Sequence, residues 1–157
     1  DPSTMTNPLN ADTDGGGIND GHEDQDKNGA FSTWETDPND SVDDDLAMYV
    51  YKLNPGNSLT LRVRNGTPYA LVIPCYSIQG TGPTDVGIGI PMDLTMPIVD
   101  MTPVRLSSGG YGEVVAGRVP PWAPLDFPVY FQGVEVRFQT GQSFRLTNAI
   151  TKPITDN

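Results

Sequence analysis

The feature that most constrains this chain is an abrupt change of charge at Asp45. Residues 1–45 carry 13 acids and one base, Lys27, a net of −12, whereas residues 46–157 carry 7 acids and 8 bases, a net of +1. A solvated acidic face of one globule would not cut off so sharply. The break therefore predicts an acidic arm (1–45) followed by a near-neutral domain (46–157). The larger segment is long enough to bury a core unaided. The arm is not, because Met5, Leu9, Ile18, Phe31 and Trp34 are its main large apolar residues; without counter-ions such a segment stays disordered.

Within the arm a twelve-residue pattern occurs twice in tandem. The first copy runs from Asp12 to Glu23 and the second from Asp24 to Glu35. The second fits D-x-[DN]-x-[DN]-G-x5-E at every fixed position, and the first fits except at its fifth position, where Gly16 stands. Calcium takes about 6–8 oxygens at roughly 2.3–2.6 Å, so alternate acids can converge on it only where the chain curls tightly, and a glycine at position 6 permits the curl. The ligands expected on this spacing are Asp12, Asp14, the carbonyl of Ile18, Asp20 and Glu23 in the first loop. In the second they are Asp24, Asp26, Asn28, the carbonyl of Ala30, Ser32 and Glu35. Gly16 offers no side-chain oxygen, so the first site lacks one ligand unless a water or an outside acid supplies it; Asp37 and Asp40 are the nearest candidates. The pattern thus implies Ca2+, with two ions expected. Asp43-Asp44-Asp45 reads first as a solvated charge run, and otherwise as a third, weaker site. His22, the only histidine, reads as a surface residue in an acidic field.

The loops are not an EF-hand pair, because Glu23 abuts Asp24 and leaves no room for a helix between them. Residues 7–21, Asn-Pro-Leu-Asn-Ala-Asp-Thr-Asp-Gly-Gly-Gly-Ile-Asn-Asp-Gly, and Thr36-Asp37-Pro38-Asn39-Asp40 resemble the thrombospondin type 3-like acidic repeats of secreted and surface proteins. The resemblance covers about residues 6–45. It implies a chain wrapped around a line of calcium ions, with Asp37 serving an ion in a neighbouring loop.

From Leu46 the texture changes to short β-rich runs separated by turn residues. Leu59, Leu61 and Val63 alternate with Thr60, Arg62 and Arg64, which predicts a half-buried strand over 58–64. Further strands are expected over 46–53, 69–78, 92–97, 104–106, 112–119, 128–139 and 143–154, with Pro74 forcing a bend or an edge position in the third. No segment has helical period. The expectation is a mostly β fold: an arm with little regular structure, then an antiparallel Greek-key or Ig-like β-sandwich of seven to nine strands. Asn54-Pro55-Gly56, Gly66-Thr67-Pro68-Tyr69, Met92-Asp93-Leu94, Phe131-Gln132-Gly133 and Arg145-Leu146-Thr147-Asn148-Ala149-Ile150 resemble a small β-domain near the C-termini of secreted bacterial proteins. That resemblance implies a non-catalytic module for display or attachment.

Several function classes lose support at this stage. A net charge of −11 disfavours nucleic acid as a partner. No run approaches the roughly 20 apolar residues of a membrane span. The domain has no histidine, its acids are scattered, and G-x-S-x-G, P-loop and H-E-x-x-H patterns are absent, so no enzyme is expected. Glu113 and Glu135 read as exposed strand acids rather than a glycosidase pair. The lone Cys75 reads as a buried structural thiol. Pro120-Pro121-Trp122-Ala123-Pro124 reads as a loop whose Trp caps one end of the sandwich, the alternative being an exposed anchor for a partner or a sugar, with Tyr111 and Tyr130 as companions. Weak calcium sites fill outside cells, and a start at Asp1 suits a processed secreted product or a fragment. The resulting expectation is an extracellular or cell-surface structural protein whose arm calcium stiffens and whose partners are copies of itself in a filament or layer. The alternative is an adhesin or carbohydrate-binding module that meets a glycan or another surface protein.

Overall fold

The computed structural model describes residues 5–24, 27–30, 35–137 and 143–156. The chain divides into two compact units, Asp1–Asp45 and Leu46–Asn157. The described residues of the first form turns and bends and one helical turn, α1 (Asp20–Glu23). Its turns are closed by backbone bonds such as Asn10 N to Asn7 O, Asp20 N to Ala11 O and Asp40 N to Asp37 O. No described helix is long and apolar enough to cross a membrane.

The second unit holds nine strands among the described residues, all paired antiparallel. They are β1 (Ala47–Tyr51), β2 (Ser58–Arg64), β3 (Leu71–Ser77), β4 (Val99–Asp100), β5 (Val104–Arg105), β6 (Gly112–Arg118), β7 (Pro128–Arg137), β8 (Ser143–Leu146) and β9 (Ile150–Pro153). One sheet has the order β1-β2-β6; the other has the order β4-β3-β7-β8, with β5 also paired to β3 and β9 to β7. The alternation of β2 sends Leu59, Leu61 and Val63 inward. There they meet Val72, Val129 and Phe131 of the other sheet in one core. The two sheets therefore bury their facing sides against each other.

The second sheet is also covered on its outer face. Cys75, Val134 and Val136 form a second cluster with Met92 and Leu94, packed around by Ile73, Ile88 and Ile98. The 92–97 stretch is thus a covering segment and not the strand expected there; among the described residues its ladder contact is the bridge between Thr84 and Met92. Pro74 has a particular place in the ladder. It lies in β3, which is flanked on both sides, and not at a sheet edge. Its carbonyl accepts from Met101 N, so its missing N–H faces the interval between β4 and β5. A single residue that cannot donate leaves the neighbouring strand as two short pieces.

Glu135 is wholly buried on β7, contrary to the exposed reading. Thr67 N donates to its Oε1 and Thr67 Oγ1 to its Oε2, while Arg137 and Arg145 lie 3.7 and 3.9 Å from Oε2. Glu113 is exposed and held by Arg62 at 2.8 Å. The two carboxylates thus have separate partners, and Glu135 anchors the turn at Thr67.

Candidate metal centre

Both twelve-residue loops close through their first acid. Asp12 accepts from Gly15 N (2.8 Å) and Gly17 N (3.1 Å). Asp24 accepts from Asn28 N (3.1 Å) and Gly29 N (2.9 Å). The bond from position 6 to the position 1 carboxylate therefore recurs, and both position 6 glycines sit at positive φ, +104° at Gly17 and +75° at Gly29. Asp14 Oδ1 accepts from Gly16 N (2.9 Å), and Asn28 Oδ1 accepts from Ala30 N (2.7 Å). Asp20 turns both oxygens to Thr13, accepting from its N–H and its hydroxyl at 2.7 Å each.

The first loop gathers three carboxylates. Each of Asp14, Glu23 and Asp44 offers an oxygen, and these oxygens lie within 4.8 Å of one another. Oxygens bound to one calcium at roughly 2.4 Å are at most about 5 Å apart, so the spread fits a single shell. α1 carries Glu23 into a position of 0 % exposure, and Asp44 is 5 % exposed. Both Glu23 oxygens, Asp14 Oδ2 and Asp44 Oδ1 receive no hydrogen bond among the described residues. Burial, and then the neighbouring Asp44 and Asp14 charges, push the Glu23 carboxyl up to about 8. Burial raises Asp44 as well, against the bond it accepts from Ile18 N (3.1 Å).

Asp44 resolves the gap left by Gly16. A Cβ built on Gly16 would overlap Asp44 Oδ2, Cγ and Cβ, all within 2.9 Å. The Asp44 carboxylate thus occupies the space of a fifth-position side chain. Among the described residues Asp44 is the acid that abuts Gly16, and it is buried instead of belonging to a solvated run. Asp37 and Asp40 close local turns, accepting from Asn39 N (3.0 Å) and Val42 N (3.2 Å). Of the expected first-loop ligands the structure gathers Asp14 and Glu23, while Asp12 and Asp20 serve internal bonds and Ile18 donates to Asp44. In the second loop Asp26 and Ser32 lie outside the described residues, and Glu35 is buried. His22 is exposed. A donor set of oxygens alone, anionic and partly dry, suits a hard divalent cation such as Ca2+.

A second candidate lies in the sandwich. A cleft of about 650 Å3 opens at one end between the sheets, lined by Tyr76, Phe131, Val129, Ile154 and Phe127, with Asp100 and Arg118 among its few charged residues. Trp122 borders it and is 81 % exposed, so it does not cap the core as expected. Tyr130 packs against the second cluster instead of standing free. A scan against models of protein families found no match, and searches of curated proteins and of solved structures found none either.

Proposed function

We propose that this is a non-enzymatic, calcium-binding structural protein of the cell exterior, in which calcium fixes the thrombospondin type 3-like arm and copies assemble into a filament or layer. One observation carries the calcium reading: Glu23 is fully buried with both oxygens unpaired, beside two further carboxylates. Three carboxylates cannot all stay charged in one dry pocket without a counter-ion, so Glu23 holds its proton there; a divalent ion would displace that proton and turn the cluster into a ligand shell. Two filled loops add stability by mass action, about 2.7 kcal/mol each at a hundred times the dissociation constant. The test is calorimetric titration of the chelated protein with calcium. Uptake that Glu23→Gln reduces by one site supports the reading, and no heat or stoichiometry at millimolar calcium refutes it.

The exposed Trp122 beside an apolar cleft favours a second reading, an adhesin or ligand-binding module with a calcium-stiffened spacer. It requires a ligand whose binding is lost in Trp122→Ala.

A further inference from the structure

The outward face of β1-β2-β6 has an unusual composition for a solvated sheet. Register places Tyr49 opposite Arg62 and Tyr51 opposite Thr60, and on the other side Arg62 opposite Glu113 and Thr60 opposite Val115. The Arg62 guanidinium sits 5.1 Å from the Tyr51 ring centroid and 5.9 Å from that of Tyr111, and Arg64 sits 5.4 Å from that of Tyr49. Tyr49, Tyr51 and Val115 are 41 %, 39 % and 61 % exposed. Lys52 stands near enough to lower the Glu113 carboxyl, after the larger effect of Arg62. Arg62 and Arg64 thus stand on this face with Lys52 near its acid, Glu113, which is paired with Arg62. Arg64 Nε has no acceptor among the described residues.

Guanidiniums placed over tyrosine rings form a cationic platform of the residue types that dominate binding hot spots. Its complement is an acid-rich surface. The chain supplies one at its own concentration, because residues 1–45 carry 13 acids against one base. We propose that this face docks the acidic arm of a second copy of the chain. The inference rests on the assembly reading above and gives it a contact: arm on one molecule, sheet on the next. Such a contact is heterologous, so repetition makes an open array or a ring and not a two-fold dimer.

The test uses the full chain in saturating calcium. Self-association is measured by sedimentation at about 25 mM and about 0.5 M salt, where screening shortens from about 20 Å to about 4 Å. Equal amounts of isotope-light and isotope-heavy chains are also joined with a zero-length carbodiimide. Association should weaken about tenfold or more in high salt, and about tenfold in Arg64→Glu at low salt. Crosslinks should join Lys52 of one chain to carboxylates within residues 1–45 of another. Arg64→Gln provides the same comparison if Arg64→Glu disturbs the sheet.

The proposal fails if a variant that melts like the parent associates as strongly as the parent. It fails equally if Lys52 crosslinks stay within one chain, or if the chain remains monomeric at low salt while a uronate polysaccharide binds the face. Salt-sensitive association without calcium uptake would sink the calcium reading and leave this contact standing. Calcium uptake by a monomer would do the reverse.

Discussion

Glu23 has opposite consequences in the presence and absence of calcium. Without the ion it must hold a proton well above the usual carboxylate range or place its charge beside Asp14 and Asp44 in a buried pocket; under the calcium reading the ion makes it a ligand. Glu23→Gln should therefore raise the melting temperature slightly in chelator and lower it in calcium, where the stability lost is up to about 2.7 kcal/mol at a hundred times the dissociation constant. Thermal melts in both buffers check this, and a shift of the same sign in both would contradict the site. Cys75 gives a second residue-scale expectation. It is 7 % exposed, and burial, with Asp100 nearby, pushes its thiol up to about 11. The unfolded chain ionises near 9, so the folded state is undisturbed below that and loses stability as pH rises toward 11, by about 1.4 kcal/mol per unit for this group. The stability difference between the parent and Cys75→Ala should shift in favour of Cys75→Ala over that range, as denaturant titrations at pH 8 and 11 would show. At this scale the sequence spacing exposed Asp14, Glu23 and the turn glycines. It did not expose Asp44, because the approach of a carboxylate 28 residues beyond Gly16 depends on how the chain returns; the clue was the missing side chain at Gly16.

At the scale of elements, the alternation of β2 was readable because one face is buried and the other wet. β3 and β7 are covered on both faces, so their signature is a nearly continuous apolar run, Leu71-Val72-Ile73-Pro74-Cys75-Tyr76 in β3. The covering segment between Ser77 and Val99 hid its role behind turn residues, with Ile88, Met92, Leu94 and Ile98 at irregular spacing. The packing predicts a steep contrast. Phe131, 1 % exposed and 6.4 Å from the Tyr76 ring, should cost about 3–5 kcal/mol as Phe131→Ala. Val115, 61 % exposed, should change stability by under about 0.5 kcal/mol as Val115→Thr. Denaturant unfolding of the pair distinguishes a core set by these sheets from a looser one, in which the two costs would converge.

For the whole molecule, the charge step and the division into units fall at the same place, Asp45 and Leu46. The two units draw on different sources of order. Leu46–Asn157 has an apolar core shared by two sheets, so under the calcium reading chelation should leave that core intact. The arm has few apolar residues, a net charge of −12 and a buried carboxylate cluster, so under the calcium reading its order is conditional on the ion. Digestion with a glutamate-specific protease separates these cases, because Glu23 and Glu35 are the arm's only glutamates and both are buried. In calcium, cleavage at both sites should be slow. In chelator, local opening becomes cheap, and cleavage should accelerate about a hundredfold, matching the loss of a site saturated at a hundred times its dissociation constant. The fragment beginning at Thr36 should accumulate, with its sandwich still folded and Glu135 protected by the core. Equal cleavage rates in the two buffers would mean that the arm holds its shape without the ion. Simultaneous loss of the Thr36 fragment would mean that the sandwich, too, depends on calcium.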